Sequence, residues 1–184
     1  MQPLFTIHAG EFLVASHIER TFKNARVWVP SKDTGVDLLV TDRSARRSVS
    51  LQVKYSRDYL VTHLPSAFQS SLRACGWWVF NPTKLAASTA DYWVLLVVGF
   101  DNRTNDAVII RPRELLSRLK AIRSPEARFQ SYFWITKTRR CWETRGLARS
   151  DQLEVANDTY RTKSRDFTRF LNDWSCIKNL DGAG

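Results

Sequence analysis

The run from Val36 to Ser56 limits the possible folds of this chain more than any other part. Asp37 opens an apolar stretch, Leu38, Leu39 and Val40, and a polar, basic segment, DRSARRS, separates it from SLQVKYS. Alternate residues of an extended strand face opposite sides, so Leu51 and Val53 point one way while Gln52 and Lys54 point the other. DRSARRS begins with an aspartate suited to a turn, and the whole segment reads as a β-hairpin. That hairpin sets Asp37 and the Gln52/Lys54 pair on adjacent strands, about 5 Å apart laterally. Ser56 follows on the same strand face as Lys54, and Tyr55 points the opposite way, into packing.

A second periodicity precedes the hairpin. From Gly10 to Lys23 the spacing predicts a helix in which Glu11, Val14, Ala15, Ile18 and Phe22 share one face. Glu11 is the one carboxylate on that apolar stripe. Two readings are open for it. An acid in the first turn favours the helix dipole and stays solvated, whereas an acid facing the core must be paired, neutralised or bound to a cation.

The rest of the chain alternates between strands and helices. Leu64–Ala74 is expected to be a short helix with Pro65 in its first turn, and Trp77–Asn81 a strand. Asp91–Phe100 is continuously apolar after its first residue, as in a strand buried on both faces, and is expected to be the central strand. DNRTND reads as a turn, Ala107–Arg111 as a returning strand, and PRELLSRLKAI as a helix beginning at proline. Ser131–Thr138 is a further strand candidate. Phe167, Phe170, Leu171 and Trp174 have helical spacing, which predicts an amphipathic closing helix over Asp166–Ile177. The expected fold is therefore α/β, a mixed central sheet flanked by helices. With 184 residues, 43% of them hydrophobic, the chain suits one domain, 1–184, with a sizeable core. Its longest apolar run, Tyr92–Phe100, is too short to span a bilayer, so no membrane role is expected.

A formal charge of +10 favours a polyanionic partner and salt-sensitive binding. Arginines supply much of the surplus; Arg46, Arg47, Arg57, Arg139 and Arg140, with Ser56, are the candidate contacts to nucleic acid. Cys75, Cys141 and Cys176 are widely spaced, which suggests neither a disulfide framework nor a zinc site. Free thiols and no signal-peptide pattern point to a reducing compartment, the cytoplasm. His8, His17 and His63 form no metal-binding spacing. Most of the tryptophans lie in apolar strand patterns; Trp142, between Arg140 and Glu143, is the one singled out for stacking on nucleic acid.

Glu11, Asp37, Gln52 and Lys54, in this order and on these elements, resemble the PD-(D/E)XK nuclease superfamily, the restriction-endonuclease-like fold. The resemblance covers Gly10–Arg57 and includes GVD and LQVKYSR. Gln-x-Lys in place of an acid-x-Lys is similar to the variant in Mrr-type and Holliday-junction-resolvase-like proteins. The proline that usually precedes the aspartate is Val36 here. The resemblance implies a metal site of Glu11, Asp37, the Gln52 amide oxygen and the Val53 carbonyl. Mg2+ is the implied cofactor, with Mn2+ as a substitute, and Lys54 orients and activates the attacking water. Oxygen donors of this kind suit a hard cation. The implied activity is hydrolysis of phosphodiester bonds in double-stranded or branched DNA, by a homodimer. Two alternatives have different consequences. One is a nucleic-acid-binding module that keeps the fold without catalysis, within a defence or repair complex; the other is a protein-binding or inhibitory role for the basic surface.

Overall fold

A computed structural model describes residues 8–32, 34–99, 104–123 and 127–181. The first helix, α1 (Ala9–Thr21), leads into a short edge strand, β1 (Arg26–Trp28). The hairpin follows as β2 (Leu38–Thr41) and β3 (Ser48–Arg57). Two single-turn helices, α2 (Leu60–His63) and α3 (Ser66–Gln69), precede β4 (Leu72–Phe80). Then come α4 (Pro82–Ala86), β5 (Tyr92–Gly99), β6 (Thr104–Ile110) and α5 (Pro112–Ile122). The chain continues through β7 (Phe129–Thr136), β8 (Cys141–Glu143), α6 (Arg149–Ala156), two 3-10 turns and α7 (Ser175–Asp181).

These elements build two sheets. The larger has the order β1-β2-β3-β5-β6 and is mixed, with β3 parallel to β5 and every other pair antiparallel. The smaller is antiparallel, in the order β4-β7-β8. Helices α1 and α7 cover one face of the large sheet, where Val14, Ile18, Leu51, Val53, Val94, Leu96 and Ile177 form one core cluster. The small sheet and α5 cover the other face through Trp78, Phe80, Leu95, Val97, Leu119 and Phe133. A third cluster, including Leu60, Phe68, Trp134, Trp142 and Val155, seals α2, α3 and α6 onto the outer side of the small sheet. The result is a single α/β domain with a mixed central sheet.

The hairpin forms as its sequence predicts, with Leu38 opposite Leu51. Several other expectations are corrected. There are two sheets where one was expected, because β4 leaves the large sheet and pairs with β7. The helix expected over Leu64–Ala74 gives way at Leu72 to β4, whose backbone partners on β7 outweigh weak local helical preference. Strand β5 is buried along its length after Tyr92, but β3 occupies the middle of the large sheet. The residues 101–103 of the expected DNRTND turn lie outside those described.

The expected closing helix over Asp166–Ile177 is replaced by 3-10 turns at Lys163–Arg165 and Thr168–Phe170, followed by α7. Its backbone is committed elsewhere: Phe167 N–H donates to the Cys141 carbonyl at 2.8 Å, and Asn172 N–H to the Ala107 carbonyl. Asn172 takes a left-handed conformation there, with φ 53°, which asparagine tolerates better than most residues. Phe167 and Phe170 are still buried. All three cysteines are free, and burial pushes their thiols up, that of Cys176 to about 11.

His17 of α1 packs on Trp174, with ring centroids 4.9 Å apart, and burial lowers its pKa from 6.5. The unfolded chain therefore takes up this proton at a higher pH than the folded one. The stability it contributes is present above 6.5 and is lost as pH falls through the lowered value. Melting curves between about pH 7.5 and pH 5 are expected to fall less steeply for His17→Phe than for the natural protein. Parallel slopes would refute the assignment.

Candidate functional site

The site begins where β2 stops. Strand β2 has four residues and β3 has ten, so the pairing ends at Leu38 and Leu51. One further bond, Asp37 N–H to the Leu51 carbonyl at 2.8 Å, closes the ladder. Beyond it the edge of β3 that faced β2 has no partner strand among the described residues. Asp37 turns its carboxylate onto that edge, and Oδ2 accepts the Val53 N–H at 2.7 Å. In an extended strand a residue's N–H and C=O share one edge, so the Val53 carbonyl faces the same opening.

Two glycines permit this arrangement. Gly35 has φ +82°, a left-handed conformation that brings the chain round to Asp37 at little steric cost. Gly10 lets α1 approach β3: a Cβ there would lie 3.0 Å from the Cβ of Tyr55. This close contact carries Glu11 over the exposed edge. Glu11 also accepts the His8 N–H on Oε2 at 3.1 Å, the reaching-back contact of a helix N-terminus. The two readings of Glu11 thus coexist, since the carboxylate caps α1 and lines the opening at the same time.

The opening is a concavity of about 290 Å³. Glu11, Asp37, Gln52, Val53 and Lys54, the residues predicted as catalytic or metal-binding, all line it, joined by His8, Gly10 and Tyr55. Oriented so that both of its amide atoms are satisfied, Gln52 donates to the Gly35 carbonyl at 3.1 Å and accepts from the Lys54 ammonium at 3.1 Å. Lys54 Nζ also lies 5.6 Å from the centre of the Trp93 ring, within range of a cation–π contact. The ammonium is thereby aimed, and among the described residues it forms no ion pair with a carboxylate.

The donors present fit a hard divalent ion. Asp37 retains Oδ1 after Oδ2 takes the Val53 N–H, Glu11 retains Oε1, and the Val53 carbonyl adds a neutral oxygen. Mg2+ commonly takes one or two carboxylates and fills its shell with water and phosphate oxygens. Among the described residues no group of three or more His, Cys, Asp and Glu side chains is arranged to hold a metal. The protein's share of a shell here is accordingly small. Gln52 is turned to Gly35 and Lys54, which makes it a holder of the lysine.

The candidate nucleic-acid contacts lie outside this concavity. Ser56 is buried; its hydroxyl donates to the Arg57 carbonyl and accepts the Trp77 N–H at 2.9 Å. It joins the two sheets. Arg46 and Arg47 lie at the opposite end of the hairpin from the site, since the stretch from Arg47 to Val53 spans roughly 20 Å. Arg47 donates to the carbonyls of Asn179 and Leu180, both at 3.2 Å, and so ties the turn to α7. Arg139 pairs with Asp106 at 2.7 Å, and Arg140 approaches Asp166 at 3.5 Å while lying over the Trp142 ring. Arg57 is exposed at the end of β3. Trp142, singled out for stacking on nucleic acid, is 1% exposed and meets Tyr160 edge to face; it belongs to the core.

Sequence reasoning set aside His8, which the structure places at the mouth of the site. The signal was its position three residues before Glu11, the spacing at which a side chain reaches back to cap a helix. Compared with protein-family models, curated proteins and solved structures, the chain gives no match. Fold and site define an α/β domain with a concavity of two carboxylates, an amide and a lysine at the open edge of a mixed sheet. No helix among the described residues is long and apolar enough to cross a membrane.

Proposed function

We propose that the chain is a metal-dependent nuclease of the restriction-endonuclease-like kind, hydrolysing phosphodiester bonds of DNA. The observation that supports it best is that Glu11, Asp37, Gln52, Val53 and Lys54, which lie on a helix and two strands, line one concavity. Glu11, Asp37 and the Val53 carbonyl would hold Mg2+ or Mn2+. When bound, the ion supplies Lewis-acid polarisation of the phosphoryl oxygens and a more acidic water. Asp37 positions the edge of β3 through its bond to Val53. Lys54, steered by Gln52, places an ammonium donor beside the attacking water and the charge that builds on the phosphoryl group. A homodimer would present two such concavities, one for each strand of a duplex.

One observation favours a second reading, a nucleic-acid-binding module of the same fold without catalysis. Where acid-x-Lys would place a third carboxylate the chain has Gln52, whose amide, oriented to satisfy both of its atoms, bonds to Gly35 and Lys54, and two carboxylates are left to attract a cation.

Supercoiled, branched and single-stranded DNA incubated with the protein in Mg2+ or Mn2+ separates the two. Cleavage that stops with a chelator, and falls about 10²- to 10³-fold in Lys54→Met, supports the enzyme. Equal product from the natural protein and Lys54→Met rejects it, and salt-dependent binding without cleavage supports the module.

A further inference from the structure

A second cavity, of about 420 Å³, opens on the outer side of the small sheet. Its walls are the rings of Tyr59, Trp77, Tyr132 and Trp134, with His63 and Gln152 among the polar groups that line it. Trp78 faces the core between the sheets, whereas Trp77 turns outward and is 47% exposed. The aromatic wall is fixed in place. Tyr59 meets Tyr132 and His63 edge to face, and its hydroxyl accepts the Trp134 indole N–H at 3.1 Å. That bond leaves the phenol's own proton available to an acceptor.

Two arginines pack near these walls. Arg145 lies over the Tyr132 ring and donates to its hydroxyl at 3.2 Å, and Arg149 lies over Phe68 at 4.1 Å. Flat aromatic walls, polar groups among them and the Arg145 guanidinium against Tyr132 suit a flat heterocycle attached to an anionic backbone. The cavity is also linked to the first site. Ser56, which holds the Trp77 N–H, lies two residues beyond Lys54 on β3, roughly 7 Å along the strand.

We propose that this cavity receives an unpaired nucleobase, stacked on Trp77, from the nucleic acid whose backbone passes the Lys54 site. The proposal deepens the nuclease reading and rests on it for the choice of nucleic acid as ligand. An extrahelical or single-stranded base offers a free π-face and a free Watson–Crick edge, whereas a base paired and stacked within a duplex has both occupied and presents only its groove edges.

The test uses the full chain carrying Asp37→Asn, so that the nucleic acid survives. It is titrated with a duplex containing one unpaired adenine, and with the same duplex in which that nucleotide lacks its base. Anisotropy gives the affinity, and quenching of tryptophan fluorescence reports stacking. The base-containing duplex is expected to bind roughly tenfold more tightly. Trp77→Ala should erase that difference, Trp77→Phe should restore part of it, and Gln152→Ala, on the α6 wall, should reduce it. Equal binding of the two duplexes overturns the proposal, as does a preference that survives Trp77→Ala. The outcome is separable from that of the nuclease reading. A Trp77-dependent preference in a protein whose natural form cleaves nothing keeps the pocket and removes the nuclease, and cleavage without the preference does the reverse.

Discussion

Asp37→Asn is expected to lower DNA cleavage by about 10³-fold or more while leaving the fold intact. The substitution separates two roles of one side chain. Asp37 Oδ2 accepts the Val53 N–H at 2.7 Å, and an asparagine carbonyl can accept the same bond, so the edge of β3 keeps its anchor. What is lost is one of the two carboxylate charges of the concavity. A cation held by so few protein donors depends strongly on each, and the remaining Glu11 is already engaged with His8. Cleavage of supercoiled DNA in Mg2+, read beside a melting curve, checks the result. Natural rates from Asp37→Asn would remove the metal site as the source of activity, and a collapsed melting temperature would show that the residue acts on the fold instead.

The second large effect is on stability. Glu143 of β8 is fully buried and ion-paired with two arginines, Arg123 after α5 and Arg165 in the first 3-10 turn. Burial pushes the Glu143 carboxyl up, against the pull of both guanidiniums and the Arg145 N–H. Glu143→Gln leaves those guanidiniums without their charge partner in a site where they are 9% and 15% exposed. Breaking a buried pair on one side costs about 3–5 kcal/mol, a large part of the roughly 5–15 kcal/mol that holds a typical domain. Denaturant unfolding measures it. A loss below about 0.5 kcal/mol, the range of ordinary surface changes, would mean that water or neighbouring carbonyls already satisfy both arginines.

Where local pattern and tertiary pairing agree, the chain is legible from its residues alone. The hairpin is the clearest case, because alternation places Leu51 and Val53 in the core and leaves Gln52 and Lys54 for the site. Helix α1 and the buried strand β5 are legible for the same reason. The tail fails that test: Phe167, Phe170 and Trp174 have helical spacing, yet long-range backbone bonds to Cys141 and Ala107 claim the segment first. Such bonds leave no mark on periodicity. The partners of the arginines are equally invisible in sequence: Arg47 donates to the carbonyls of Asn179 and Leu180, and Arg139 and Arg140 pair with Asp106 and Asp166. The second sheet was missed because β4 and β7 pair across 48 or more intervening residues, a separation that no short window samples.

The brevity of β2 has one more consequence. A strand with one edge open, as that of β3 beyond β2 is among the described residues, is a template on which a foreign strand can build, and proteins blunt such rims with charge. Here the blunting falls to Asp37, which occupies the Val53 N–H with a carboxylate, and to α1, which is pressed against Tyr55 at Gly10. A variant that removes the Asp37 carboxylate is therefore expected to lay this rim open to strand addition, which light scattering of the purified protein would register.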